Sequence, residues 1–78
     1  MVTSRQIRAA RALLGWTQQT LADKALVAVN TLRAIEADKS YPTPGSIAAV
    51  QQALACGGVV FLPNGTMGEG VRLAKPVR

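Results

Sequence analysis

The sequence predicts a mainly α fold, four to five short helices followed by a short C-terminal β-strand or hairpin. Three observations carry this expectation. Apolar residues recur at three- and four-residue spacing as far as Leu54, the signature of helices with one buried face. Residues that start and stop helices stand between the runs: Thr3, Gly15, Thr17, the Thr43-Pro44 pair and Gly57-Gly58. Beyond them the pattern changes to the β-branched and aromatic run Val59-Val60-Phe61-Leu62, with turn chemistry at Pro63-Asn64-Gly65.

Thr3 and Ser4 are N-cap candidates for a first helix reaching about Leu14, with Ile7, Ala10 and Leu14 as its buried stripe. Arg5 and Arg8 point away from that stripe. Arg11 lies at its margin, where an arginine calls for a carboxylate partner. Gly15 ends the helix as a permissive residue. Thr17 caps a second helix from Gln18 to Ala25, with Leu21, Ala22 and Ala25 facing inward and Trp16 packing over its start. A third helix runs from about Val29 to Asp38 on core positions Leu32 and Ile35, with Glu36 beside them. The loop Asp38-Lys39-Ser40-Tyr41-Pro42 separates it from a fourth helix that opens at Thr43-Pro44 and buries Ile47, Val50 and Leu54.

The organisation expected is a helical domain over residues 1–57 and a β segment over 58–78 that ends in a frayed tail. An isolated two-stranded hairpin is marginal in water, and both faces of Val59-Val60-Phe61-Leu62 are apolar. This segment is therefore expected to build a dimer interface by edge pairing, the alternative being a lid folded back on its own helices.

Composition narrows the chemistry. Seventy-eight residues allow one modest core. There is no histidine, one cysteine (Cys56), and four acidic residues: Asp23, Glu36, Asp38 and Glu69. An intrachain disulfide and a multi-cysteine zinc site are thereby excluded, and the usual acid–base and nucleophilic constellations have no members. No enzyme, cofactor or metal is expected. The net charge of +5 suggests a polyanionic partner, above all nucleic acid. No apolar run approaches the length of a membrane span, and the first residues lack a signal peptide's apolar stretch, so no membrane partner and a cytoplasmic location are expected.

Residues 5–54 resemble the helix-turn-helix domain of the Cro/repressor class, the xenobiotic-response-element (XRE) family. The resemblance rests on Arg11, Gly15-Trp16-Thr17-Gln18, Leu21-Ala22, Thr31-Leu32, Ile35-Glu36, a proline at 42 or 44, and Leu54. It implies a lambda-repressor-like domain that docks its third helix in the major groove, in a regulator that binds as a dimer. It also implies a structural ion pair between Arg11 and Glu36, and a phosphate contact for Gln18 at the start of the second helix, with Gln19 as a weaker candidate. The base-facing positions would be Ala28, Val29, Asn30, Arg33 and Ala34. Asn30 could read adenine, Arg33 could reach guanine or phosphate, and Val29 and Ala34 could pack on thymine methyls. Lys39, Ser40 and Tyr41 would touch the backbone, positioning without specifying, and Thr31 would bond a phosphate or its own helix.

Three positions depart from the family pattern. Leu26 stands where a turn glycine is usual, which predicts a strained positive φ. Ala28 replaces the serine or threonine cap, so Asn30 is an alternative cap of a shortened third helix. Thr20 replaces the glutamate of a capping box. The function expected is a sequence-specific DNA-binding regulator, a repressor acting as a homodimer through Val59, Val60, Phe61 and Leu62. The alternatives are an antitoxin-type autoregulator with a protein partner on the tail, or a protein-interaction adaptor that does not read DNA.

Overall fold

Thr3 starts the first helix with a complete capping box. Its hydroxyl accepts from the Gln6 N–H (3.2 Å), and the Gln6 side chain accepts the Thr3 N–H (3.0 Å). The computed structural model describes residues 2–38, 43–63, 65 and 68–74. Its elements are α1 (Ser4–Leu14), α2 (Gln18–Ala25), α3 (Val29–Ala37), α4 (Pro44–Cys56), β1 (Val59–Leu62) and β2 (Gly70–Leu73). Gly15 ends α1 in the left-handed region (φ 67°), where an L side chain would be strained. Thr17 caps α2 by accepting from the Thr20 N–H, and its hydroxyl bonds the Thr20 hydroxyl where a capping box would have a carboxylate. Thr43 and Pro44 open α4 as cap and first residue.

The turn between α2 and α3 carries the strain that the sequence foretells. Leu26 has φ 58° and ψ 41°, and its side chain is 92% exposed. The conformation costs about 1–2 kcal/mol for an L-residue, and no packing compensates at the side chain. Its N–H closes the end of α2 on the Asp23 carbonyl. Ala28 caps α3 with no side-chain bond, and α3 nevertheless begins at Val29. Asn30 therefore lies inside the helix, and the shortened helix with an Asn30 cap does not form.

The core gathers two or three residues from every helix and one from β1. Ile7 and Ala10 come from α1, Leu21, Ala22 and Ala25 from α2, Leu32 and Ile35 from α3, Val50 and Leu54 from α4, and Val59 from β1. Each fully buried leucine or isoleucine contributes about 1.5–3 kcal/mol. Ile47 and Leu14, expected in the buried stripes of their helices, are only half-buried. The alanines of α2 let α4 approach closely. Gly57 serves the same end differently: a Cβ there would stand 2.6 Å from Cη2 of Trp16.

β1 and β2 pair antiparallel, with Val59 opposite Leu73 and Phe61 opposite Val71. The ladder continues through Ala74, whose N–H donates to the Gly58 carbonyl (2.6 Å); residues 75–78 lie outside the described set. The hairpin packs against α1 and α4 through Val59, Phe61 and Val71. Two polar attachments fasten it further. The buried Gln6 amide donates to the carbonyls of Leu62 and Gly70, both at 2.9 Å, and Glu69 accepts from the Thr3 hydroxyl and the Arg5 guanidinium.

Two measurements check this account. Leu26→Gly relieves the left-handed strain and loses no packing, so denaturation should show a gain of about 1 kcal/mol, or about 4–8 °C in Tm. At Glu69 the Thr3 hydroxyl bond outweighs desolvation and, with Arg5 adding to it, holds the carboxyl pKa below its ordinary value. A carboxyl with a depressed folded pKa adds stability above its unfolded pKa and loses it as pH falls through the folded one. The protection of amides in β1 and β2, taken relative to their intrinsic exchange rates, should therefore fall on acidification through that window, and Glu69→Gln should remove this fall.

Candidate nucleic-acid interface

One buried carboxylate holds three helices together. Glu36, on the inner face of α3, is 3% exposed. Its oxygens accept a two-point fork from Arg11 of α1, Nε to Oε2 and Nη2 to Oε1, each at 2.9 Å. Oε1 also accepts from Gln18 Nε2 of α2 at 3.1 Å. Arg11 uses its remaining Nη1 on the Trp16 carbonyl (3.2 Å), which ties in the segment between α1 and α2. Arg8 completes the arrangement by donating to the Glu36 backbone carbonyl, one of the unpaired acceptors in the last turn of α3.

This geometry places Arg11 in the frame of the domain. A planar fork fixes orientation as well as distance, so α3 is set relative to α1 by two parallel bonds and relative to α2 by a third. Among the described residues no buried side-chain nitrogen or oxygen lacks a partner. Desolvation is thereby offset by complete pairing.

With Leu32, Ile35 and Glu36 turned inward, helical periodicity sends Asn30, Arg33, Ala34 and Ala37 to the other side of α3. Asn30 and Arg33 are exposed and joined, Arg33 Nη1 donating to Asn30 Oδ1 at 3.3 Å. Ala28 is exposed ahead of them, while Val29, Thr31 and Ala34 are half-buried. Val29 also packs against the core, which limits the apolar tip it can offer. At the start of α2, Gln18 is half-buried with its amide nitrogen committed to Glu36. Gln19 is exposed and donates to Asp23 at 2.8 Å. Lys39, Ser40 and Tyr41 lie outside the described residues.

Trp16 sits away from these side chains. Its ring lies over Leu14 and Gly57, and the Lys24 ammonium stands 5.1 Å from the ring centroid, a cation–π contact. The indole stands beside Gly57 at the end of α4 and lines an open hollow with Lys24, Ala25, Ala53 and Cys56. Val59 is buried, Val60 and Phe61 are half-buried, and Leu62 is exposed, so the four residues singled out for dimerisation divide between the core and the surface.

Sequence reasoning missed Gln6, Arg8 and Glu69. Gln6 had a usable signal, since Thr3 and Gln6 stand at capping-box spacing. Arg8 and Glu69 gave none, because their partners are a backbone carbonyl and a helix N-terminus distant in sequence.

Two short helices joined by a tight turn, the second supported from behind and polar in front, define a helix-turn-helix unit. The chain belongs to the helix-turn-helix family of XRE type, whose model matches residues 7–60, a family of DNA-binding transcription regulators. No curated protein matches the chain. Among the described residues no group of metal-binding side chains occurs, and no helix is long and apolar enough to cross a membrane.

Removing the Glu36 carboxylate strands Arg11 and Gln18 at the junction of three helices. Glu36→Ala should cost about 3–5 kcal/mol in denaturant unfolding. The double replacement Arg11→Met with Glu36→Leu should recover a good part of that loss, because neither charge is then left without its partner.

Proposed function

We propose that the chain is a sequence-specific repressor that binds as a homodimer, each copy laying α3 in a major groove. The observation that carries this reading is the division of α3 into two faces. Its inner face is locked to α1 and α2 through Glu36, while Asn30 and Arg33 stand exposed on the outer one. A helix held rigidly from behind can present polar tips to base edges with little ordering cost on binding. Gln19, Ala28, Thr31 and Ala34 flank this face and supply backbone and thymine-methyl contacts, with Lys39, Ser40 and Tyr41 on the phosphates beyond. Gln18 reaches the backbone through the second hydrogen of its Nε2, the first being used on Glu36. Occupying a promoter in this way would exclude polymerase.

The dimer is proposed to form through the hairpin. Both of its strands are edges, and Val60 and Leu62 lie on the face away from the core residues Val59 and Phe61. Two α3 helices in successive major grooves must lie about one helical turn of DNA (~34 Å) apart, and that is the spacing a sheet continued into a second copy has to meet.

One experiment tests both parts: anisotropy titration of the full chain into a duplex selected from a random pool, repeated across a salt series. The expected complex holds two chains per two-fold-symmetric site. With about six phosphate contacts, its affinity should fall about a thousandfold between roughly 50 and 200 mM salt. Binding that ignores salt, or that is absent at low salt, would overturn the regulator reading. One chain per site would overturn the dimer.

A further inference from the structure

We infer that Asn30 and Arg33 act as one reading unit that selects a guanine, with Arg33 on the base and Asn30 holding the guanidinium in place. The inference rests on the DNA reading above. It departs from the sequence expectation, in which Asn30 was free to pair with adenine on its own.

The two residues lie one turn apart on α3, and both are exposed. Arginine carries five N–H donors and no acceptor, so only the amide oxygen of Asn30 can face it. The contact observed is of this kind, Nη1 to Oδ1 at 3.3 Å. Bidentate reading of adenine needs the amide oxygen turned to the base to accept from N6, with Nδ2 donating to N7. Here the oxygen is turned along the helix toward the guanidinium. What the pair then shows to a groove is mainly donors: the two Nδ2 hydrogens of Asn30, and the Nε, Nη2 and second Nη1 hydrogens of Arg33, against one remaining lone pair on Oδ1.

A surface made of donors fits an edge made of acceptors. Guanine presents N7 and O6 side by side in the major groove, spaced for a guanidinium fork, whereas adenine offers one acceptor beside a donor. Arg33 keeps a full fork free after its bond to Asn30. The Asn30 amide nitrogen remains for a neighbouring acceptor, such as thymine O4 or a second guanine. Asn30 is thus a positioning residue for Arg33. Pre-orienting a long side chain lowers the entropy lost on binding, which sharpens discrimination more than it adds affinity. Among the described residues no carboxylate pairs with the guanidinium, the ion pairs being Arg5 with Glu69 and Arg11 with Glu36.

The test is selection from a randomised duplex pool with the full chain and four variants, Arg33→Ala, Arg33→Lys, Asn30→Ala and Asn30→Asp, each checked for folding by circular dichroism. The wild type should enrich guanine at one position of each half-site, with about tenfold to a hundredfold discrimination over adenine. Both Arg33 variants should flatten that position, Arg33→Lys while keeping most of the low-salt affinity, because lysine preserves the charge and lacks the fork. Asn30→Ala should weaken the guanine preference severalfold without replacing it by adenine. Asn30→Asp should keep the guanine, since a carboxylate still holds Arg33, and lose the preference at the neighbouring base. An adenine that follows Asn30 and ignores Arg33, or a guanine that survives Arg33→Lys, would overturn the inference. A pool retained with no base preference at this position would overturn it as well and leave the DNA reading standing. A pool not retained even at low salt would bring down the DNA reading itself.

Discussion

The buried carboxylate of Glu36 is the constraint on which the rest depends. It sits where α1, α2 and α3 meet, and it accepts from Arg11 at two points and from Gln18 at a third. A buried ion pair adds little net stability, because desolvation of both charges consumes most of the Coulombic gain. What it supplies here is direction. An apolar contact between α1 and α3 would tolerate sliding and rotation, whereas a planar fork with a fixed third donor tolerates neither. The helix so held carries Asn30 and Arg33 on its other side, so orientation gained in the interior becomes orientation of the surface.

The same logic of polar attachment recurs at the hairpin. Two strands of four residues are too small to stand alone, and Val59 provides only part of the anchorage. Gln6 fastens the loop end of the hairpin by bonding Leu62 and Gly70 at once, while its own helix start is capped by Thr3. The residue that begins α1 is therefore also tied, through Glu69, to the far end of the chain. The helical part and the β segment share the buried core through Val59. This docking on α1 and α4 occupies one face of the hairpin and leaves its strand edges for the pairing proposed above.

Much of the fold was legible because its signals are local. Thr3, Thr17 and Thr43 mark helix starts by a mechanism that acts within three residues. Gly15 marks an end in the same way, and the core stripes repeat at helical spacing. Leu26 and Ala28 advertised strain and a poor cap, and both are present; the tertiary packing of Leu32 and Ile35 carries α3 through them without moving its start to Asn30. The interface was legible as residue types on a face and illegible as a hydrogen-bond pattern. The bond from Arg33 to Asn30 depends on rotamers that spacing alone does not choose. Gln18 looked like a free helix-start polar group, and its commitment to Glu36 follows from how α2 crosses α3. Arg5 and Arg8 looked like solvated charges for the same reason: their partners, Glu69 and the Glu36 carbonyl, are reached only through the folded chain.

The central claim is that the side of α3 opposite Glu36 is the surface that meets DNA. The most direct measurement is a nitrogen–proton correlation spectrum of the labelled full chain, titrated with a selected duplex. The account predicts amide and side-chain shifts concentrated at Gln18, Gln19 and Ala28 to Ala34, with the Arg11 and Glu36 signals unchanged in their bonding and the Trp16 indole undisturbed. Shifts confined to the Trp16 and α4 side, or to the outer face of the hairpin, with α3 silent, would contradict it.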